Sequence, residues 1–366
     1  MNNAIRPDTF DFEELQGLFG PVLILKREDN DYSQTPLPKL LISNKLPSDK
    51  SIKTIWSSEI DKWTNHGDVG FVDARGKIRI TLCKSANANT LLVTERCDNL
   101  CLFCSQPPRE VNDQILFAYA AQSLISFNSQ DVIGISGGEP LINKQAILNF
   151  FKVLNQFDNK TPLHILSNGR AFKDSDFTNL FKSAASGRSV EVGIPLYSTT
   201  SRIHDYLVNS QGAWKETIAG LINAGNKGIL IELRIIPTSF NYHEISAIVE
   251  MALTCFNFIS RISIMNLEQT GWAKKNWNEL YIKPEQYGAE LVSACSLSKR
   301  YGCEVALFNY PLCHIPNSVH KHARKSISDW KNTYPKECNY CTLKHECGGF
   351  FTSIKEMEVK PKGRII

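Results

Sequence analysis

The chain has 366 residues, 42% of them hydrophobic and 21% charged, which is the composition of an ordinary soluble globular protein. Its 41 basic and 37 acidic side chains leave a formal charge of +4 with no long run of one sign, so we expect no nucleic-acid partner. Residues 1–17 are acidic where a signal peptide needs apolar residues, and the apolar runs are too short for a membrane helix. We therefore expect a cytoplasmic protein with no membrane partner.

Residues 1–86 mix short apolar runs with proline, asparagine and aspartate, which predicts a small β-rich N-terminal domain. Within it, "DVGFVDARGKIRITL" (68–82) predicts two strands joined by a tight turn at residues 74–77.

Residues 87–310 show a regular alternation of β-branched runs and amphipathic segments. Strands are predicted at 91–94, 131–136, 163–167, 190–197, 229–236 and 261–267, with helices near 111–126, 141–157, 174–185, 214–225, 241–256 and 284–300. Alternating strands and helices indicate an α/β fold with a parallel sheet. Six such units are too few for a closed eight-fold barrel, so we predict a partial (β/α)6 TIM-like barrel. Its active site would lie at the carboxyl ends of the strands.

Eleven cysteines in a large cytosolic chain indicate metal binding or redox chemistry rather than disulfides. Seven of them form two groups: Cys97, Cys101 and Cys104, then Cys313, Cys338, Cys341 and Cys347. The first group has CxxxCxxC spacing and directly follows the first predicted barrel strand. Three thiols within eight residues lack the fourth ligand that closes a structural zinc site, and no histidine lies nearby in the sequence.

The later barrel strands also end in, or carry, polar and glycine-rich segments. These are "SGGEP" (136–140), "SNGR" (167–170), "PLYS" (195–198), and Glu232 with Arg234. Each has an ordinary explanation as well, because such segments form turns, cap helices or make ion pairs. Their coincidence at successive strands favours a site shared by all of them.

CxxxCxxC after the first strand, an aromatic Phe103 before the third cysteine, and "GGE" after the second strand resemble the radical S-adenosylmethionine (SAM) superfamily. The resemblance covers about residues 88–310. It implies that Cys97, Cys101 and Cys104 hold a [4Fe–4S] cluster whose fourth iron binds SAM. It further implies that the following residues contact this cofactor: Gly137, Gly138 and Glu139 at its amino group, Phe103 at the adenine, Ser198 at the ribose, Arg234 at the carboxylate, and Asn168. No catalytic residue is assigned.

The second cysteine group, in a predicted extension at residues 311–366, has enough thiols to close a metal site completely. A structural zinc ion would suit four thiolates, and so would a second, auxiliary [4Fe–4S] cluster. The spacing of Cys338, Cys341 and Cys347 resembles the SPASM extension of radical SAM enzymes, or its shortened twitch form. The full extension would have another cysteine where this chain has Phe351, which favours one auxiliary cluster over two. His314 and His345 are alternative ligands.

Four further segments resemble the HxsC-type maturases of His-Xaa-Ser peptide-modification systems: "CSQPPRE", "GIPLYS", "LEQTGWA" and "ARKSISDWKNTYPKECNYCTLKHECGGFF". This implies an oxygen-sensitive enzyme with oxidoreductase- or lyase-type chemistry. It would cleave SAM reductively and abstract hydrogen from a ribosomally made precursor peptide with His-Xaa-Ser repeats. Implied partners are that peptide, a second radical SAM maturase and an external one-electron reductant. Two alternatives stay open: a radical enzyme acting on RNA or a glycyl-radical protein, and a zinc-binding interaction protein.

Overall fold

The structure is a computed structural model that describes residues 9–27, 35–45, 47–49, 51–325 and 332–353. The described strands are β1 (Phe10–Asp11), β2 (Gly20–Leu25), β3 (Lys39–Ile42), β4 (Lys53–Ile55), β5 (Val69–Val72), β6 (Lys77–Leu82), β7 (Asn89–Thr94), β8 (Ile133–Gly137), β9 (Leu163–Leu166), β10 (Val190–Pro195), β11 (Leu230–Ile235), β12 (Ile259–Met265), β13 (Glu304–Phe308), β14 (Ala323–Arg324), β15 (Asn332–Thr333) and β16 (Phe350–Phe351). The helices are α1 (Ser58–Trp63), α2 (Ile115–Phe127), α3 (Lys144–Gln156), α4 (Ser175–Ala184), α5 (Ser201–Val208), α6 (Ala213–Asn226), α7 (Ile245–Cys255), α8 (Gly271–Lys275), α9 (Trp277–Leu280) and α10 (Gly288–Tyr301).

The first six strands form a mixed sheet in the order β1-β6-β5-β2-β3-β4. The predicted hairpin is present, since β5 and β6 pair antiparallel and are joined by a turn that begins at Asp73. The central strand β2 is buried along its whole length. Its alternate side chains point to opposite faces, so Val22 and Ile24 pack on one side while Leu23 and Leu25 join the core that includes α2.

The remaining large sheet contains eight parallel strands, β7 to β14, which neighbour one another in chain order. Its edge strands β7 and β14 are not paired with each other, so the barrel that the sheet forms is open and not closed. This confirms the predicted α/β fold with a partial TIM-like barrel. The six predicted strands correspond to β7–β12.

Alternation along these strands separates an apolar outer face from a polar inner one. Outward residues such as Ile135, Ile194 and Leu233 are fully buried in the main apolar core, which the surrounding helices complete. Inward positions carry small or polar residues. A Cβ on Gly193, for example, would lie 3.0–3.1 Å from atoms of Arg234, Glu232 and His164, so these side chains share the barrel interior. The interior can therefore accommodate a polar ligand.

Three elements of the barrel were not predicted. Helix α5 is an additional short helix between β10 and α6. Strand β13 and the two-residue strand β14 extend the sheet to eight strands. The "EVALF" run of β13 is apolar enough for a strand but directly follows the last predicted helix. Strand β14 has only two residues, which is too short to show the alternation of apolar and polar side chains that identifies a strand.

Near the C-terminal end of the described chain, β15 and β16 pair antiparallel and bring residues 332 and 351 together. The segment between them holds Cys338, Cys341 and Cys347. Residues 326–331, which belong to one of the segments resembling the maturases, lie outside the described residues. The division into domains after residues 86 and 310 stays a prediction. No helix within the described ranges is long and apolar enough to cross a membrane.

Candidate active site

The three thiols of the first group lie on the cysteine loop (residues 97–104), which follows the carboxyl end of β7. Helix α5 fixes this loop through its last carbonyl oxygens, since Leu100 N donates to Val208 O at 3.0 Å and Leu102 N to Leu207 O at 2.9 Å. The other side is held by the segment after β12. There Trp272 N donates to Cys104 O at 2.8 Å and the Asn276 amide to Leu102 O at 2.7 Å.

Arg170 anchors the start of the cysteine loop from the end of β9. Its guanidinium donates to Asp98 O at 2.8 Å and to Asn99 Oδ1 at 2.6 Å, and it is held in turn by Glu216 at 2.7 Å. Charge-assisted hydrogen bonds of this kind each contribute about 1.5–3 kcal/mol. Arg170 was part of the "SNGR" segment, but the sequence carried no signal that it would reach Asp98 and Asn99, which precede it by 72 and 71 residues.

The "GGE" segment packs directly against the same loop. Gly138 N donates to Thr94 O at 2.9 Å and Glu139 N to Arg96 O at 2.7 Å. A Cβ on Gly138 would overlap Arg96 O, and one on Gly137, whose φ is +154°, would overlap Thr94 O. Both glycines are therefore needed for contact between two segments of the chain, whereas the sequence suggested only close approach to a ligand.

The Glu139 carboxylate is almost completely buried and lies between β8 and β9. It accepts hydrogen bonds from Leu141 N at 2.8 Å, Ser167 Oγ at 2.7 Å and Asn168 N at 2.6 Å. Burial raises the pKa of Glu139 to about 7 in spite of these donors. The nearby Asp98 carboxylate raises this pKa further, and no cationic side chain in the described ranges forms an ion pair with Glu139.

The side chains of Asn168 and Ser198 both form hydrogen bonds with other residues of the chain. The Asn168 amide donates to Asp98 Oδ1 at 2.6 Å, which ties the end of β9 to the cysteine loop. The fully buried Ser198 donates to Glu244 Oε2 at 2.7 Å and accepts from Thr200 N at 3.0 Å. Their contacts to a cofactor stay predictions, and both residues have a structural role besides.

Phe103 and Tyr197 form an edge-to-face aromatic pair with ring centroids 4.9 Å apart. Both belong to a small apolar group behind the cysteine loop, against which Cys101 also packs. Burial raises the pKa of the Tyr197 phenol, and the nearby Cys101 thiol raises it further while Arg234 lowers it. Tyr197 was in the "PLYS" segment but was not singled out from the sequence.

Arg234 projects into the barrel from β11, on the same side of the sheet as Glu232. One of its terminal nitrogens contacts Met265 Sδ at 2.8 Å, and its Nε, 3.9 Å from Glu232 Oε2, makes no hydrogen bond. A thioether is a weak acceptor, so the guanidinium keeps capacity for an anion.

Glu232 lies deeper in the barrel, 2.8 Å from His164 Nε2, and accepts a hydrogen bond from Ser263. Burial alone would raise the pKa of Glu232, but His164, Arg234 and Ser263 hold it at about 2. Glu232 and Arg234 are thus opposite charges on one face of β11, with Arg234 Nε 3.9 Å from Glu232 Oε2.

The chemistry of the first three thiols suits a metal cluster. Burial raises the pKa of Cys97 to about 12, and it also raises the pKa values of Cys101 and Cys104. Thiolates gathered in such a place need a cation that offsets both their mutual repulsion and their loss of water. No group of three or more His, Cys, Asp or Glu side chains in the described part of the chain is arranged to hold a single metal ion. Thiolates are the ligands that iron–sulfur clusters use, so three cysteine thiols fit such a cluster by their chemistry.

The second group of thiols surrounds a common cavity of about 30 Å³, which we call the thiol cavity. It is lined by Leu312, Cys313, His320, Tyr334, Cys338, Cys341, Leu343, Lys344, Cys347 and Phe350. Burial raises the pKa of Cys338, and the thiols of Cys313, Cys347 and Cys341 raise it further. Folding thus brings Cys313 to the other three cysteines across 25 residues of sequence.

The two histidines considered as alternative ligands do not line the thiol cavity. His314 Nδ1 lies 3.3 Å from Glu285, and the exposed His345 lies 3.2 Å from Glu346. The histidine at the cavity is His320, whose Nε2 lies 2.8 Å from Leu312 O. Sequence reasoning missed it because it belongs to no cysteine motif.

Residues 91–252 match the sequence model of the Radical SAM superfamily. No curated protein sequence matches the chain. Among solved structures, SuiB from Streptococcus suis bound to S-adenosylmethionine is similar at 15% identity and a TM-score of 0.45, over 61% of this chain and 52% of SuiB. The chain thus spans about half the length of SuiB.

Two further structures are similar over part of their length. The structure of anSMEcpe with bound AdoMet and Cp18Cys peptide has 16% identity and a TM-score of 0.46, over 60% of this chain and 62% of that one. Coproporphyrinogen III oxidase (HemN) from Escherichia coli, described as a radical SAM enzyme, has 15% identity and a TM-score of 0.43. That match covers 63% of this chain and 57% of HemN.

Proposed function

Since residues 91–252 match the Radical SAM superfamily model, we propose that the chain is a radical SAM enzyme that cleaves S-adenosylmethionine and modifies a ribosomally made peptide. Cys97, Cys101 and Cys104 would hold the [4Fe–4S] cluster. When bound and reduced by an external one-electron donor, this cluster would supply the electron that breaks the sulfonium–C5′ bond, giving methionine and a 5′-deoxyadenosyl radical. That radical would take a hydrogen atom from the peptide.

The observation that carries the proposal is that the cysteine loop and the "GGE" segment lie at the ends of neighbouring strands and are held together by hydrogen bonds. Backbone hydrogen bonds from Gly138 and Glu139 reach the residues just before Cys97. A ligand held at the thiols would therefore lie beside this segment. Precise placement of a cofactor is what a protein contributes when the cofactor carries the chemistry.

Two charged side chains have the signs required by the methionine end of the cofactor. The buried Glu139 lacks a cationic partner among the described residues, and the cofactor's ammonium group would supply one. Arg234 has an Nε without a hydrogen bond and would face the carboxylate. Phe103 would contact the adenine from its buried position. Ser198 and Asn168 would act mainly by holding the surrounding segments, given their protein hydrogen bonds.

A His-Xaa-Ser repeat precursor peptide is the substrate we propose. It is supported by the resemblance of the four segments to HxsC-type maturases, three of which lie wholly within the described residues. Of these, "LEQTGWA" contains Trp272, whose backbone holds Cys104, and "GIPLYS" contains Tyr197 and Ser198. These segments therefore lie around the site, and a second radical SAM maturase would be a further partner.

The function is tested by anaerobic reconstitution with iron and sulfide, followed by incubation with SAM, dithionite and a synthetic peptide carrying His-Xaa-Ser repeats. We expect a brown protein that absorbs near 400 nm and forms 5′-deoxyadenosine, with a mass change in the peptide. A scrambled peptide of equal composition is the control. Cofactor cleavage without any peptide modification would redirect the search to RNA or a glycyl-radical protein. A colourless protein that binds only zinc would contradict the enzyme proposal.

We further propose that Cys313, Cys338, Cys341 and Cys347 hold one auxiliary [4Fe–4S] cluster. We expect reconstituted protein to contain about eight irons per chain and the Cys338→Ala/Cys341→Ala variant roughly four, because each such cluster has four irons. Metal analysis by mass spectrometry measures this, with Cys303→Ala as the control that should keep the full count. About four irons and one zinc in the unmodified chain would identify the thiol cavity as a structural zinc site instead.

A further inference from the structure

A groove of about 570 Å³ lies between helices α2 and α3 on the outside of the barrel, and no step of the proposed reaction uses it. Its floor is apolar. The buried rings of Phe117 and Phe150 meet edge to face with centroids 6.2 Å apart, and the buried Ala121 also lines the groove. The space is open because the helices carry alanines here, and a longer side chain at Ala118 or Ala146 would occupy it.

The rim of the groove consists of five amide side chains: Gln114, Gln122, Asn143, Gln145 and Asn149. Some of their atoms already have partners, since Asn143 Oδ1 accepts from Ala146 N at 3.1 Å and the Gln145 amide donates to Asn149 Oδ1 at 2.9 Å. The exposed Gln114 side chain makes no capping hydrogen bond to α2. Each amide has a carbonyl acceptor and two N–H donors, so the rim retains both kinds of group for a ligand.

The groove is electrically neutral. Every residue that lines it within the described ranges is uncharged, and the 13 residues of α2 include no charged side chain. An outer helix normally has charged residues on its exposed face, whereas α2 has Ile115, which is 53% exposed. A neutral ligand that combines donors, acceptors and apolar side chains matches this surface. An extended peptide has this composition, and a nucleotide does not.

The groove reaches the end of the barrel that carries the candidate active site. Helix α2 follows β7 and α3 follows β8, so both helices begin near the carboxyl ends of these strands, where the cysteine loop and the "GGE" segment lie. Gln114 immediately precedes α2, and Asn143 caps α3 shortly after the "GGE" segment. A chain that lies in the groove would therefore lead to the edge of the site.

Given the proposed function, on which this inference rests, we propose that the groove binds an extended segment of the peptide substrate, outside the residues that react. The stretch of α2 from Gln114 to Gln122 is about 12 Å long, which matches about four residues of extended chain. Binding energy from a remote part of a substrate can be used to place its reacting part. The groove would thus hold the peptide while another segment of it enters the barrel.

A second copy of this chain matches the groove less well than a peptide does. A two-fold interface brings the same patch of both copies together. Two concave surfaces that face each other leave the space between them unfilled, whereas an extended chain can lie in one groove.

The test measures binding of a fluorescein-labelled, full-length precursor peptide to reconstituted Ala118→Arg protein by fluorescence anisotropy. Ala118 is exposed, so the arginine side chain would fill the groove without entering the core. We expect the Kd and the KM for the peptide to rise about tenfold, equivalent to about 1.4 kcal/mol, with little change in kcat at saturating peptide. Ala247→Arg is the matched control, because Ala247 is an exposed alanine in the first turn of another outer helix, α7.

Photocrosslinking to the unaltered protein keeps the test independent of how the variant folds. A precursor peptide carrying benzophenone should attach to residues 114–122 or 143–153, as identified by mass spectrometry after digestion. An unchanged Kd in Ala118→Arg, an equal change in Ala247→Arg, or crosslinks only elsewhere would overturn the inference and leave the enzyme proposal intact. A dimer that Ala118→Arg converts to a monomer would also overturn it, because a second copy would then occupy the groove. An unaltered protein that neither binds nor modifies the peptide would overturn both.

Discussion

Replacement of Cys97, Cys101 or Cys104 by alanine should abolish reductive cleavage of S-adenosylmethionine. Each change removes one of three thiolate ligands, and the remaining two cannot hold a [4Fe–4S] cluster with a single free iron. The loss should exceed the roughly 10- to 100-fold effect of removing a residue that only hydrogen-bonds a metal ligand. Formation of 5′-deoxyadenosine by anaerobically reconstituted protein, followed by liquid chromatography, measures the effect.

The matched control is Cys255→Ala, because Cys255 is exposed at the end of α7 and belongs to neither cysteine group. It should retain the cleavage rate of the unaltered protein. If all three single variants at the cysteine loop also retained that rate, the assignment of these thiols to the cluster would be wrong. If only the Cys255→Ala variant lost cleavage, the reaction would depend on the Cys255 thiol and not on the cysteine loop.

Gly138→Ala should impair the site almost as strongly, although it removes no ligand. The added Cβ would overlap the carbonyl oxygen of Arg96, which immediately precedes Cys97. Because backbone atoms cannot move aside as a flexible side chain can, the cysteine loop must shift. Overpacking of this kind costs about 1–3 kcal/mol of stability. We expect iron uptake at the first site to fall, and cofactor cleavage to fall by about tenfold or more, because a shifted cysteine loop would misplace the groups that must react.

Gly348→Ala is a suitable control for this change. The Cβ there would meet its nearest atom, Tyr310 O, only at 3.7 Å, which is ordinary van der Waals contact. Its thermal unfolding midpoint and its iron content at the first site should equal those of the unaltered protein. A Gly138→Ala protein with normal iron content and a normal rate would show that the two segments can separate without harm to the site.

Much of the barrel could be predicted because its signals are local. The outward residues of β8, β10 and β11 are β-branched or leucine and are buried by the helices, so the strand pattern can be read within six residues. The cysteine loop was likewise evident from spacing alone, as three thiols within eight residues have few other uses. Short elements such as α5 and β14 were missed, since they contain too few residues to establish a period.

The sequence by itself therefore determined the α/β class, the position of the three-thiol loop at a strand end and the existence of a second thiol group. Only the tertiary structure decided what surrounds them. Arg170 reaches Asn99 across 71 residues, the Asn276 amide reaches Leu102 across 174, and Cys313 joins three cysteines that follow it by 25 or more. The physical reason is that such contacts depend on where whole strands and helices are placed by core packing.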